Sequence, residues 1–390
     1  MADQRPSFHT DTSFLAKHTE VLVIGDSGSE ARAAVCPKLQ GRVMTSATGD
    51  EQHSFGWINR SLIASGQTQQ HINPYGGEDR FWMGPEGGQF SLFFAPGTEF
   101  VLEHWYTPAP FDTESFDVVR AEGDRVAMRK RMQLVNWSQA RFEVMVDREI
   151  RLVGASEAWR DLELTPPDGV RCVAFESINR ITNAGERPWS RDTGLLSVWI
   201  LGMFQASPRT TVALPFRAGH ASELGPIVND AYFGKVPPER LQVHPGVVLF
   251  RGDGRHRSKI GISARRACSL MGSYDASVGS LTLVQFSFPR GHHDYVNSMW
   301  EHQSRPYAGD VVNSYNDGPP APGVRPLGSF YELESSSPAA ALAPGQSLTH
   351  VHRTLHALGG EQALSPIAKH ALGVDLAHIR AAFGANVLGQ

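Results

Sequence analysis

Cysteine is scarce in this chain: three in 390 residues, Cys36, Cys172 and Cys268, far apart and with no C-x-x-C pair. That excludes a disulfide framework and a thiolate zinc cluster, and reads as three buried thiols in a reducing compartment. Long apolar runs are missing too. No stretch of 18 apolar residues occurs, so no membrane-spanning helix is expected. Met1–Ala16 has no apolar core segment of the kind a signal peptide carries. The expected location is cytoplasmic, or periplasmic if a signal peptide has been removed. Charge of one sign is not in excess: 36 Lys and Arg stand against 40 Asp and Glu, for a net charge of −4. Neutralising phosphates needs a basic surface, so nucleic acid is not an expected partner. There is no phosphate loop, no G-x-S-x-G and no dinucleotide fingerprint. No cofactor and no metal are expected.

What is present is a globular composition, with 41% hydrophobic and 19% charged residues. Glycine (38) and proline (25) are abundant. Both disfavour long helices, Gly through backbone entropy and Pro through its missing donor. The excess points to a turn-rich β protein. Short alternating segments run along nearly the whole chain, among them 31–37, 41–46, 90–94, 125–135, 141–152, 170–179, 195–200, 247–250, 258–262, 280–288 and 347–355. Turn signals such as Gly76-Gly77, Pro96-Gly97, Gly252-Asp253-Gly254 and Pro344-Gly345 separate them. Many short strands at this spacing predict a sandwich or barrel. Residues 125–147 read as a hairpin turning near Asn136-Trp137-Ser138. A short helix is expected at Thr12–His18, and another over Ser365–Phe383, where Ser365-Pro366 suits a helix start. The expectation is one all-β domain, a large antiparallel β-sandwich over residues 31–358. An N-terminal extension with the first strand (1–30) precedes it, and a C-terminal helical tail (359–390) follows.

The densest chemistry lies in His71–Phe94, HINPYGGEDRFWMGPEGGQFSLFF. Two Gly-rich turns flank Glu78, Asp79, Arg80 and Trp82. In a cleft, a Trp face stacks on the apolar side of a sugar ring while carboxylates and Arg bond its hydroxyls. The same residues would also serve as a structural Glu/Arg pair beneath a turn. Gly291–Glu301 (GHHDYVNSMWE) brings His292, His293, Asp294 and Trp300 together. A His beside an Asp is suited to acid–base work. Adjacent His residues on a strand point to opposite faces, and no pair here has metal-ligand spacing. His350, His352 and His356, in THVHRTLH, share one strand face. The i,i+2 pair can bind a metal or supply a proton donor; the plainer reading is a hydrogen-bonded ladder on the sheet. Asp310 and Asn313, in YAGDVVNSYNDG, suit sugar hydroxyls or turns alike. Lys259 is a lone cation in an apolar strand, able to meet a substrate oxygen or to snorkel to solvent.

In this order along the chain, several segments resemble the galactose-mutarotase-like, or aldose 1-epimerase-like, superfamily. They are AVCPKLQGRVMTS (34–46), the Gly-Gly-x-x-Arg-x-Trp-x-x-Pro-Glu stretch at 76–86, ITNAGERPW (181–189), FYELESSSP (330–338) and LAPGQS (342–347). The whole is most similar to a bacterial branch of unknown function. The resemblance implies a β-supersandwich with a concave carbohydrate site. It implies Glu334 as general base, with Glu332 on the same strand face. It also implies a mid-chain His as acid, but Leu195–Gly202 holds none. The acid is then expected from His293 first and His352 second. His352 would be near Glu334 if strand 347–355 paired with strand 330–335. The expected function is a carbohydrate-active enzyme working by Glu/His acid–base chemistry. It would be epimerase-like, or would cleave a glycosidic bond by hydrolysis or elimination. The alternative is a carbohydrate-binding protein without turnover. The expected substrate contacts are Glu78, Asp79, Arg80, Trp82, Lys259, Trp300, Asp310 and Asn313. The partner is a carbohydrate ligand; the oligomeric state is left open.

Overall fold

A computed structural model describes residues 6–25, 31–165 and 167–384. The described residues form three antiparallel sheets. A ten-stranded sheet runs from edge strand Leu241–His244 to edge strand Asp117–Ala121, with Ser347–Leu358 and Arg171–Asn183 at its centre. A five-stranded sheet has the order Ser258–Ser263, Asp310–Asn316, Phe330–Ser336, Ser197–Gln205, Arg80–Gly84. A small sheet joins Leu22–Ile24, Ala31–Cys36 and Arg42–Thr48. Each strand pair is antiparallel, which leaves alternate side chains on opposite faces and so divides each strand between two environments.

The large and five-stranded sheets pack face to face. Leu333, Val312 and Ile260 from the smaller sheet meet Val212, Val248, Met271 and Val284 from the larger. Phe81, Met83, Val198 and Ile200 meet Val144, Val146 and Phe142. The fold is a large antiparallel β-sandwich, one of the two architectures that the alternation predicts and the supersandwich that the resemblance implies. The 125–147 hairpin forms as Arg125–Val135 paired with Arg141–Val153.

Four local expectations are corrected. Phe90–Phe94 is not a strand; Phe93 and Phe94 are buried by ring packing against Trp82, Trp105 and Trp300 rather than by a ladder. The opening helix is Phe8–Ala16, starting earlier because Ser7 caps it through Thr10 N. The C-terminal helix divides into Glu361–Leu372 and Leu376–Ala381, with Pro366 inside the first. Gly373 ends it in a left-handed conformation (φ 75°). Finally, Ser347–Leu358 does not pair with Phe330–Ser336. The two strands lie in different sheets, because the intervening segment crosses between layers after Ala340 bridges back to Leu196.

No helix among the described residues is long and apolar enough to cross a membrane.

Candidate functional site

One face of the five-stranded sheet packs on the large sheet. The other carries a grid of polar and aromatic groups. Across the strands, Lys259 pairs with Tyr315, Tyr315 with Glu332, and Glu332 with Met203. One step along, Gly261, Asn313, Glu334, Leu201 and Arg80 fall in register, and then Trp199 beside Trp82. Two-residue alternation thus brings side chains 254 positions apart in sequence onto one surface. The Gly76-Gly77 turn sets the entry of the first strand. Both residues have strongly positive φ (100° and 110°), and a Cβ at Gly76 would sit 2.0 Å from the Trp57 carbonyl oxygen.

Loops roof this face and enclose a cavity of about 240 Å³. Its floor is Arg80, Trp82, Trp199, Lys259 and Glu332; its walls include His71, Glu86, Trp105, Phe233, Arg257, Trp300 and Asp317. The lining is aromatic with a few converging charges, the usual character of a small-molecule site. Trp105 and Trp300 stack at 6.0 Å, and Trp82 meets Trp199 edge-on at 5.4 Å. Arg80 lies over the Trp82 ring at 4.2 Å and donates to Glu332 Oε1 at 2.7 Å. Lys259 lies over Trp199 at 4.5 Å and donates to Glu334 Oε2 at 3.0 Å. Trp199 Nε1 donates to the same oxygen at 2.9 Å.

Burial dominates the electrostatics here. Desolvation pushes the Glu332 carboxyl up to about 8, with Arg80 opposing and Glu334 reinforcing the shift. Glu86 is raised by burial as well, against the pull of Lys259. Burial alone would lower Lys259, but Glu334 and Glu86 outweigh it and its shift is upward, so the ammonium stays charged.

The expected site residues divide into three groups. Arg80, Trp82, Lys259 and Trp300 line the cavity. Glu334 shares its face yet is fully buried beneath Lys259 and Trp199. Asn313 lies in the same row; its amide donates to Tyr232 Oη at 3.2 Å. Asp310, at the strand bulge, accepts from Tyr232 Oη at 2.7 Å and from Asn229 at 3.1 Å. Asp310 and Asn313 therefore hold Tyr232, whose ring lies 5.5 Å from the Lys259 Nζ, rather than lining the cavity.

Glu78, Asp79, His293 and His352 are not cavity residues, a correction to the grouping expected from sequence. Glu78 bonds Ser46 and, at 2.8 Å, His356 Nε2. Asp79 pairs with Arg148, both wholly buried between layers. His293 is exposed, on a segment without regular structure, so strand alternation does not aim it anywhere. His352 faces the interior, where its Nδ1 and His350 Nε2 both lie 2.8 Å from Ser335 Oγ. Among the described residues, no group of three His, Cys, Asp or Glu is placed to hold a metal ion.

The interior histidines make a pH prediction. Burial lowers His350 to about 3 and His352 to about 4, from 6.5. Below pH 6.5 these two side chains bind more protons in the unfolded chain than in the folded one, so their contribution to stability falls as pH drops from 6.5 toward those values. Thermal midpoints measured from pH 7 to 4 should show this decline, and His350→Asn should flatten it. An unchanged slope in the variant would show that other groups dominate.

Sequence reasoning passed over His71, Glu86 and Arg257. Glu86 closes the Gly-Gly-x-x-Arg-x-Trp-x-x-Pro-Glu stretch, and that motif was the available signal. His71 opens the same segment; its Nδ1 lies 2.5 Å from the Trp105 carbonyl oxygen. A carbonyl only accepts, so Nδ1 is the donor; in the neutral ring the lone pair is then on Nε2.

Comparison with known proteins agrees with the architecture. The Slr1438 protein from Synechocystis sp. PCC 6803 is 12% identical over 88% of this chain and 96% of its own, with a TM-score of 0.51. A galactose mutarotase-like protein from Lactobacillus casei ATCC 334 is 9% identical, covering 86% of this chain and 100% of its own, at a TM-score of 0.48. A galactose mutarotase related enzyme from Lactobacillus acidophilus is 8% identical, covering 86% and 97%, at 0.47. The first of these likenesses, at 12% identity, is one of fold. No curated protein sequence matches the chain. A family model matches residues 6–383, nearly the whole length, and the chain accordingly belongs to that family of unknown function, DUF6786.

Proposed function

We propose that this protein is a carbohydrate-active enzyme, epimerase-like or cleaving a glycosidic bond, working by Glu/His acid–base chemistry in the aromatic cavity. The observation that carries the reading is the meeting of a desolvated carboxyl, Glu332, with an imidazole, His71, in one cavity lined by Trp82, Trp105 and Trp300. Indole faces suit the apolar face of a sugar ring. Glu332, held near 8 by burial, is protonated at neutral pH. Arg80 occupies its Oε1, so the proton sits on Oε2. That makes Glu332 the acid. His71 Nε2, with its lone pair, is the base. Glu334 takes a positioning role: it fixes Lys259 and Trp199 and meets no substrate.

A non-catalytic carbohydrate-binding protein is the second reading. It is favoured by the complete burial of Glu334, the residue that the resemblance implies as base. Polarimetry or NMR of freshly dissolved aldoses, with a reducing-end assay on an oligosaccharide panel, separates the two. Accelerated mutarotation or new reducing ends is expected. Binding without turnover would select the second reading, and no interaction with any sugar would refute both.

A further inference from the structure

Resting on the carbohydrate reading, we propose that the cavity takes a sugar bearing an anionic substituent, a carboxylate or a phosphate, and that Arg257 binds that substituent.

Four cationic side chains line the cavity: Arg80, Arg257, Lys259 and Arg325. Two are engaged within the protein: Arg80 donates to Glu332 Oε1 at 2.7 Å, and Lys259 is neutralised by Glu334 at 3.0 Å. Arg257 and Arg325 have no ion-pair partner among the described residues. Arg257 has two acidic neighbours in the cavity wall, and both are engaged elsewhere: Glu86 bonds Trp300, and Asp317 accepts from Tyr315 Oη at 2.8 Å and from Gly328 N at 2.8 Å.

Arg257 is also held in place. Its guanidinium lies over the Phe233 ring, 3.7 Å from the centroid. Stacking fixes the plane and leaves the N–H edge for a ligand. The backbone around it is clamped. Asn316 Nδ2 donates to the His256 carbonyl at 2.9 Å, and Gly318 packs so close that a Cβ there would meet Arg257 N at 2.5 Å. Two residues before Lys259, Arg257 continues that strand's alternation onto the cavity face. A guanidinium fork set in advance binds carboxylate or phosphate through two parallel hydrogen bonds with little ordering cost. Arg325, exposed at the mouth, adds long-range attraction for an anion. Hydroxyls alone would leave the guanidinium fork without a bidentate acceptor.

The test is calorimetric titration of matched sugars: galactose, galacturonate and galactose 6-phosphate, with the glucose series alongside. In the unmodified protein one acidic member should bind roughly 10- to 100-fold tighter than its neutral parent. The uronate and phosphate arms show which substituent is recognised. Arg257→Gln should bring the acidic-to-neutral ratio close to one. Arg257→Lys should keep part of it, since the charge remains and the fork is lost. Equal affinity for neutral and acidic sugars in the unmodified protein would overturn this inference and leave the carbohydrate reading standing; that comparison needs no variant. A preference unchanged in Arg257→Gln would overturn the assignment to Arg257. Failure of every sugar to bind would overturn both readings.

Discussion

Glu332→Gln should lower turnover of a sugar substrate by roughly 10²–10⁴-fold, the usual loss when a positioned acid is removed. The Gln carbonyl keeps the acceptor that Arg80 uses at 2.7 Å, so the hydrogen-bond geometry is retained while the transferable proton is gone. Affinity should change far less than rate. The pH profile provides a second readout. With the carboxyl raised to about 8, turnover in the unmodified protein should fall as pH rises past that value, and the variant should lack this limb. The same shift acts on stability. Between the ordinary 4.5 and about 8 the folded state holds the Glu332 proton and the unfolded state does not. Its contribution therefore declines as pH rises through that window, and Glu332→Gln should flatten the decline. Full turnover in the variant would remove Glu332 from the mechanism.

The largest expected effect on stability lies elsewhere. Arg148 and Asp79 are both fully buried and paired between the layers. Arg148 also donates to Asn179, to the Gly41 carbonyl at 3.1 Å and to the Asp79 carbonyl at 3.2 Å. Arg148→Met leaves an unpaired buried carboxylate and strips Asn179 Oδ1 and the Gly41 carbonyl of their donor, while the Asp79 carbonyl keeps Val43 N at 3.1 Å. Breaking such a pair costs about 3–5 kcal/mol. Denaturant unfolding should show that loss, and adding Asp79→Leu should recover much of it, since the stranded charge disappears with its partner. A loss below ~1 kcal/mol in the single variant would mean that the pair is not the clamp its burial indicates.

These two tests probe opposite faces of neighbouring residues, and that contrast marks what was legible. Asp79 and Arg80 are adjacent; one locks the sandwich interior and the other floors the cavity. Period-two alternation makes such a division readable in principle, but it does not say which parity faces the site. Glu78 was also grouped with the site because it is charged and near Trp82. It bonds Ser46 and His356 instead, since charged groups between two sheets satisfy one another across the layers.

The chain by itself determined the all-β class, the alternation that sets Glu332 and Glu334 on one face, the candidacy of Arg80 and Trp82 for the site and the isolation of Lys259 in its strand. Those are local properties: strand period, turn residues, and a cation where neighbours are apolar. Only the tertiary structure decided that strand 330–336 and strand 347–358 lie in different sheets. It alone sent His352 inward, left His293 on the surface and brought His71, Glu86 and Arg257 to the cavity. The physical reason is range. Strand partners and roof loops are selected by the burial of surfaces contributed from distant parts of the chain, and no short window of sequence contains both halves of such a contact.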